Sequence, residues 1–233
     1  MFEELKTQVY KANLELVTRG LVTLTWGNVS GLAADRSMFV IKPSGVPYCD
    51  MRPGHMVVVS VETGLVVEGS MKPSSDAPTH RMLYRHFAGV GGVAHTHSPR
   101  ATAFAQAQRE LPCYGTTHAD HFFGAVPVTR QLTPEEVGEE YERNTGAVII
   151  ERFAGLDPLA VPAALVAGHA PFAWGCSAAD AVSNALALEA VAGMALDSLR
   201  LEPELPAIEP YLLDKHYLRK HGKQAYYGQR EAR

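Results

Sequence analysis

The sequence predicts one α/β domain whose central sheet, mixed or antiparallel, is covered by helices. Three observations predict it. Short β-branched runs separated by turn residues crowd residues 21–67. From Pro78 onward, helix-starting signals alternate with apolar strand-like runs. No repeat, low-complexity tract or linker divides the 233 residues, a length that suits one large domain.

In chain order, Phe2, Leu5, Val9, Ala12 and Leu16 recur at steps of three and four, one face of an amphipathic helix that Gly20 stops. Strands are expected at Leu21–Thr25, Met38–Ile41, Met56–Val61 and Leu65–Val67, with turns at Pro43-Ser44-Gly45, Arg52-Pro53-Gly54 and Glu62-Thr63-Gly64. A helix through Arg81–Phe87 leads into a strand at Val90–His97. Ser98-Pro99 then offers an N-cap and a first-turn proline to a helix near Arg100–Gln108. Thr133-Pro134-Glu135-Glu136 is a capping box opening another helix. A strand at Ala164–Ala167 ends in Gly168-His169-Ala170-Pro171, and Ser177 caps a long Ala/Leu-rich helix reaching about Leu201.

Hydrophobic residues at 46% and charged ones at 20% support a large core and exclude disorder. Twenty-one basic against 25 acidic residues, a net −4, argue against a nucleic-acid binder. Asp214–Arg233 departs from this balance, with six basic and two acidic residues. This arm at about 209–233 is either a solvated face or a neighbour of an anionic ligand. Cys49, Cys113 and Cys176 form no CxxC pair, which excludes a disulfide framework and fits a reducing compartment. Met1–Lys6 lacks a basic start and an apolar core, and no run approaches about 18 uninterrupted apolar residues. A cytoplasmic protein with no membrane partner is expected.

The ten histidines direct attention to a metal or acid/base site. His95 and His97, two apart at a strand end, leave the same face and can share one ion, or are ordinary surface histidines. His169, at another strand end, is a candidate third ligand and Asp76 a possible fourth. Without a thiolate the set suits a catalytic ion better than a structural one. Lys42-Pro43-Ser44-Gly45 and Lys72-Pro73-Ser74-Ser75 carry donors that suit a phosphate, as does Gly27-Asn28, although each is also an ordinary turn. Thr116–His121 is either a polar turn or a frame placing Asp120 for proton transfer. His216, His221, Tyr226 and Tyr227 offer further acid/base groups or packing contacts.

Together, Thr23–Ser30 (TLTWGNVS), Ile41–Val46, Lys72–Asp76, His95–Ser98, Gly115–Asp120, Pro171–Gly175, Leu213–Gly222 and Ala225–Gln229 resemble the L-ribulose-5-phosphate 4-epimerases of the class II aldolase/adducin superfamily. The similarity runs from Phe2 to Gln229. It implies a single-domain α/β/α three-layer sandwich with a largely antiparallel sheet over 1–233. It implies one Zn²⁺ per subunit held by Asp76, His95, His97 and His169. It implies a pocket for a phosphorylated ketopentose from Gly27, Asn28, Lys42, Ser44, Gly45, Ser74 and Ser75, with Thr116 close by. Asp120 and Tyr227 become the acid/base pair, supported by His216 and Glu142. A C4 homotetramer with sites between subunits and Tyr227 reaching into its neighbour is implied too. The implied reaction interconverts L-ribulose 5-phosphate and D-xylulose 5-phosphate by cleaving C3–C4, turning glycolaldehyde phosphate and re-adding it.

One position departs from the pattern. The family usually reads His-Gly-Pro-Phe at the third histidine, and Ala170 stands in place of that glycine, a strained choice if the backbone there needs positive φ. The competing expectation is a sister aldolase cleaving a fuculose- or rhamnulose-type deoxyketose 1-phosphate. Those relatives tend to carry glutamate at position 76 and lack the HYLRKHG and YYGQ ending. An adducin-like interaction module is the third, and it has no need for four metal ligands.

Overall fold

The computed structural model describes residues 2–227. Helix α1 (Glu3–Thr18) buries Val9, Ala12 and Leu16, the stripe that the spacing predicts. Seven strands follow: β1 (Asn28–Leu32), β2 (Met38–Ile41), β3 (Val57–Ser60), β4 (Val66–Glu68), β5 (Gly92–His95), β6 (Ala163–Leu165) and β7 (Pro171–Gly175). They form one sheet in the order β4-β3-β2-β1-β5-β7-β6, and every neighbouring pair is antiparallel. The helices after α1 are α2 (Ala77–His86), α3 (Pro99–Gln106), α4 (Thr116–Ala119), α5 (Pro134–Gly138), α6 (Tyr141–Arg152), α7 (Ala178–Leu201) and α8 (Pro210–His221). The α/β fold around an antiparallel sheet is the one expected.

Side chains alternate between the faces of a strand, so positions one apart in register see opposite layers. Gly31, Gly92 and Gly175 lie side by side across β1, β5 and β7. This row lets α1 and α7 sit directly on the sheet. A Cβ at Gly31 would lie 2.9 Å from Val9 Cγ2, and one at Gly175 would lie 2.5 Å from Asp180 Cβ. Ser30, one residue along, faces the other layer and meets His80 and Tyr84 of α2. Helix α7 is apolar and long enough to cross a membrane by length and composition, with a mean hydropathy of 1.3. Here it is the core helix, burying Ala181, Val182, Ala185, Leu188, Val191 and Ala192.

Several element boundaries differ from expectation, among them the start of α2 at Ala77 rather than Arg81. Leu21–Thr25 is not a strand: Trp26 N–H donates to Thr23 C=O at 3.0 Å, and Leu24 takes φ +53°. The strand is Asn28–Leu32 (NVSGL), weak in β propensity but buried between two partners, so tertiary pairing decides. Strand β5 stops at His95, placing His97 just beyond it. The region opened by the Thr133 capping box divides at Glu140, φ +48°, into α5 and α6. Proline at its first position hid β7, a fully buried strand.

Ser98 occupies the N-cap of α3, but its side chain makes no capping bond. Buried Glu189 of α7 takes that role, accepting from Arg100 N–H at 3.1 Å and Ala101 N–H at 3.0 Å. It thereby anchors the chain immediately after His95-Thr96-His97. Glu189→Ala is expected to lower the unfolding free energy by about 2 kcal/mol, because the buried Ala101 N–H and the partly buried Arg100 N–H lose their acceptor. Urea unfolding measures this; a loss below about 0.5 kcal/mol would show the α3 terminus solvated instead.

Candidate active site

His95 closes β5, His97 follows it, and His169 sits in the turn between β6 and β7. Their ligand atoms all lie within 4.8 Å of one another, with His95 Nε2 and His97 Nε2 3.1 Å apart. Pro171 C=O lies 3.0 Å from His95 Nδ1. A carbonyl only accepts, so Nδ1 carries the proton and Nε2 turns its lone pair into the cluster. Phe172, opposite His95 in the β5–β7 register, stacks on that ring at 4.2 Å. Burial first, then the neighbouring imidazoles, lower His97 and bring His169 to about 4. Both are neutral near pH 7, the form that binds metal. Three convergent imidazole nitrogens lining an open cavity fit a catalytic divalent ion such as zinc.

Positive φ in this turn falls at Gly168 (+71°). Ala170 is buried outside the left-handed region, so the expected strain at Ala170 is absent.

Asp76 stands at the N-terminus of α2, in the same cavity but outside the three-histidine group. Its carboxylate accepts from Asn28 Nδ2 at 2.6 Å. Burial works to raise its pKa, yet the electrostatic influence of the His95 and His80 rings and the Asn28 hydrogen bond outweigh it, holding it below the usual range. Asn28 Oδ1 is buried without a partner, an acceptor available to a ligand hydroxyl. Gly27 makes this approach possible. It adopts φ +91°, and a Cβ there would lie 2.8 Å from His95 C=O.

The two Lys-Pro-Ser loops, which sequence alone did not connect, pair with each other. Ser44 N–H donates to Lys72 C=O and Ser74 N–H to Lys42 C=O, both at 2.9 Å, around a Pro43–Pro73 bridge. Lys42 is buried with its ammonium 4.9 Å from the Tyr48 ring centre, and burial lowers its pKa. Gly27, Asn28, Lys42, Ser44 and Gly45 line one cavity of about 600 Å³. Ser74, Ser75, Asp76, Glu142 and the three histidines complete it.

Sequence reasoning missed Trp26 and Tyr141, which also line this cavity. The Tyr141 hydroxyl lies 3.3 Å from His169 Nδ1. Its position beside Glu142 at the start of α6 was the available signal. His80 is fully buried on α2, and burial drives it to about 3. Its Nδ1 lies 2.7 Å from Ser30 Oγ, which in turn lies 2.6 Å from the Tyr84 hydroxyl.

Thr116, Asp120, His216 and Tyr227 are not among the residues lining that cavity. They form a second group where α8 meets α4. Asp120 accepts from Arg219 Nη2 at 2.7 Å and from Arg219 Nε at 3.1 Å. His216 Nδ1 is 3.1 Å and Lys220 Nζ 3.4 Å from the same carboxylate. Burial works to raise Asp120, but the Arg219 and His216 bonds and the Lys220 charge hold it below the usual carboxylate range. Thr116 contributes its carbonyl to Asp120 N–H at 3.0 Å. Arg219 and Lys220 of the basic arm thus face a carboxylate of their own chain, with Gly228–Arg233 outside the described residues.

The fold is shared widely. An L-fuculose 1-phosphate aldolase superposes with a TM-score of 0.77 at 22% identity, over 91% of this chain and 94% of that one. YgbL from Klebsiella pneumoniae, a putative aldolase/epimerase/decarboxylase, gives 0.73 at 26% identity, over 92% and 99%. The L-fuculose-1-phosphate aldolase of Thermus thermophilus gives 0.67 at 24%, over 88% and 98%. Residues 7–196 match the family described as the class II aldolase and adducin N-terminal domain, and the chain belongs to that family.

Proposed function

We propose that the chain is a metal-dependent L-ribulose-5-phosphate 4-epimerase. The observation that carries the reading is the single cavity in which the three-histidine group faces the paired Lys-Pro-Ser loops. A metal centre and an anion cradle side by side suit a small sugar phosphate.

The C4 hydrogen of a 2-ketopentose is not acidic, because C4 is not adjacent to the carbonyl. Breaking C3–C4 by retro-aldol is chemically open: the C4 hydroxyl loses its proton, the bond breaks, and the electron pair passes to C3 and into the C2 carbonyl. A divalent ion held by His95, His97 and His169, with Asp76 as fourth ligand, would supply Lewis-acid stabilisation of that charge. Lys42, Ser44, Gly45, Ser74 and Ser75 hold the phosphate, so the released glycolaldehyde phosphate turns in place. Asn28 Oδ1 takes a substrate hydroxyl, and Glu142 borders the reacting end. Asp120 removes the C4 hydroxyl proton and Tyr227 returns one on the opposite face, with His216 and Thr116 supporting them. Because these four lie outside the cavity of their own chain, a second copy brings them, in a C4 tetramer with sites between subunits.

The second reading is cleavage of a deoxyketose 1-phosphate, favoured by the likeness to fuculose-phosphate aldolases. It uses the same cavity and differs in releasing its products.

Purified protein is expected to hold about one zinc per chain and to interconvert L-ribulose 5-phosphate and D-xylulose 5-phosphate. Metal analysis and a coupled assay check this; release of dihydroxyacetone phosphate from fuculose 1-phosphate, with no pentulose turnover, would establish the aldolase instead. His97→Ala should strip the metal, and undiminished zinc stoichiometry would remove His97 from the centre. Tyr227→Phe should keep its metal but lose at least about 100-fold in kcat. Full turnover in that variant would defeat the two-sided proton transfer.

A further inference from the structure

We propose that Arg219 is the positioning residue that makes Asp120 and Tyr227 one unit. This rests on the acid/base assignment above and adds a residue to it.

The guanidinium faces both groups. Its Nε and Nη2 donate to Asp120 Oδ1 at 3.1 and 3.0 Å, and Nη2 reaches Oδ2 at 2.7 Å. The same group lies 4.8 Å from the Tyr227 ring centre. The backbone repeats the link. Arg219 C=O accepts from Tyr226 N–H at 3.0 Å and Tyr227 N–H at 3.1 Å, folding the chain after α8 back over the helix. One residue thus fixes the carboxylate by a planar fork and the tyrosine by stacking and a carbonyl.

The setting favours a directed role over a surface ion pair. The Asp120 side chain is 13% exposed and that of Arg219 23%. Lys220 sits 3.4 Å from Asp120 Oδ2 and 4.7 Å from the Tyr227 ring centre, but it is a point charge without a fork. The guanidinium bonds both carboxylate oxygens, whereas His216 Nδ1 meets Oδ1 alone at 3.1 Å. The two proton carriers therefore enter a site from the same chain, at a fixed spacing. Arg219 does not line the cavity of its own chain, so its loss should leave the three histidines of that chain, and the zinc content, unchanged.

The test is a double-mutant cycle on kcat and KM with pentulose phosphate, with zinc measured on each sample. Arg219→Met is expected to lose about 100-fold in kcat at nearly unchanged KM and full zinc content. Arg219→Lys, which keeps the charge and guards against a simple loss of fold, should recover about tenfold of that. Arg219→Met added to Asp120→Asn should cost little more than Asp120→Asn alone. Near-normal kcat in Arg219→Met, no recovery in Arg219→Lys, or losses that multiply in the double variant would overturn the proposal. A fully active Asp120→Asn would remove the acid/base assignment itself, and this proposal with it.

Discussion

Pairing between β1 and β2 ends at Ser30 and Ile41, and the site grows from that divergence. Beyond it Lys42 turns away to join Ser74, while β1 stays beside β5 with Asn28 opposite His95. The backbone of Val29 would be left buried and unpaired, which is costly. Asn13 of α1 fills the gap with both ends of its amide. Its Oδ1 accepts from Val29 N–H at 2.9 Å, and its Nδ2 donates to Val29 C=O at 3.0 Å. A side chain thus substitutes for a strand, and the sheet can open without losing hydrogen bonds. The three histidines then arrive from the β5 and β7 side and the paired Lys-Pro-Ser loops from the β2 side.

The charged groups divide between two places. Around the histidines burial lowers His97 and His169, and the Asp76 carboxylate is a charged group of the cavity wall beside them. At α8 the balance is reversed: one carboxylate, Asp120, is met by Arg219, Lys220 and His216. A sugar phosphate cleaved between these environments would meet Lewis acid on one side and proton carriers on the other. That division of labour would give a physical reason for the proposed site between two copies of the chain.

Much of this was legible in the sequence where local rules and tertiary demands agree. The stripe on α1, the Thr133 capping box and the Ser177 cap formed as read, because each is decided within a few residues. The histidine pair was legible from its spacing, and His169 from its place at a strand end. What failed depended on distant partners. NVSGL forms a strand because two neighbours bury it, and PFAWG because β5 and β6 flank it. Ser98 gave way to Glu189, which lies about ninety residues away in sequence but is fixed by α7. The Lys-Pro-Ser loops had no local reason to meet, and His80 gave no spacing signal. The basic arm was visible as charge, while its partner, Asp120, became visible only in the fold.

The central claim is that the metal cavity of one chain works with Asp120 and Tyr227 of another. Mixing His97→Ala chains with Tyr227→Phe chains, dissociated and reassembled together, tests it most directly. Each parent is inactive, and a shared site predicts that mixed tetramers regain about a quarter of full epimerase activity, since that fraction of sites joins an intact metal centre to an intact tyrosine. Mixed assemblies as inactive as their parents would contradict the account.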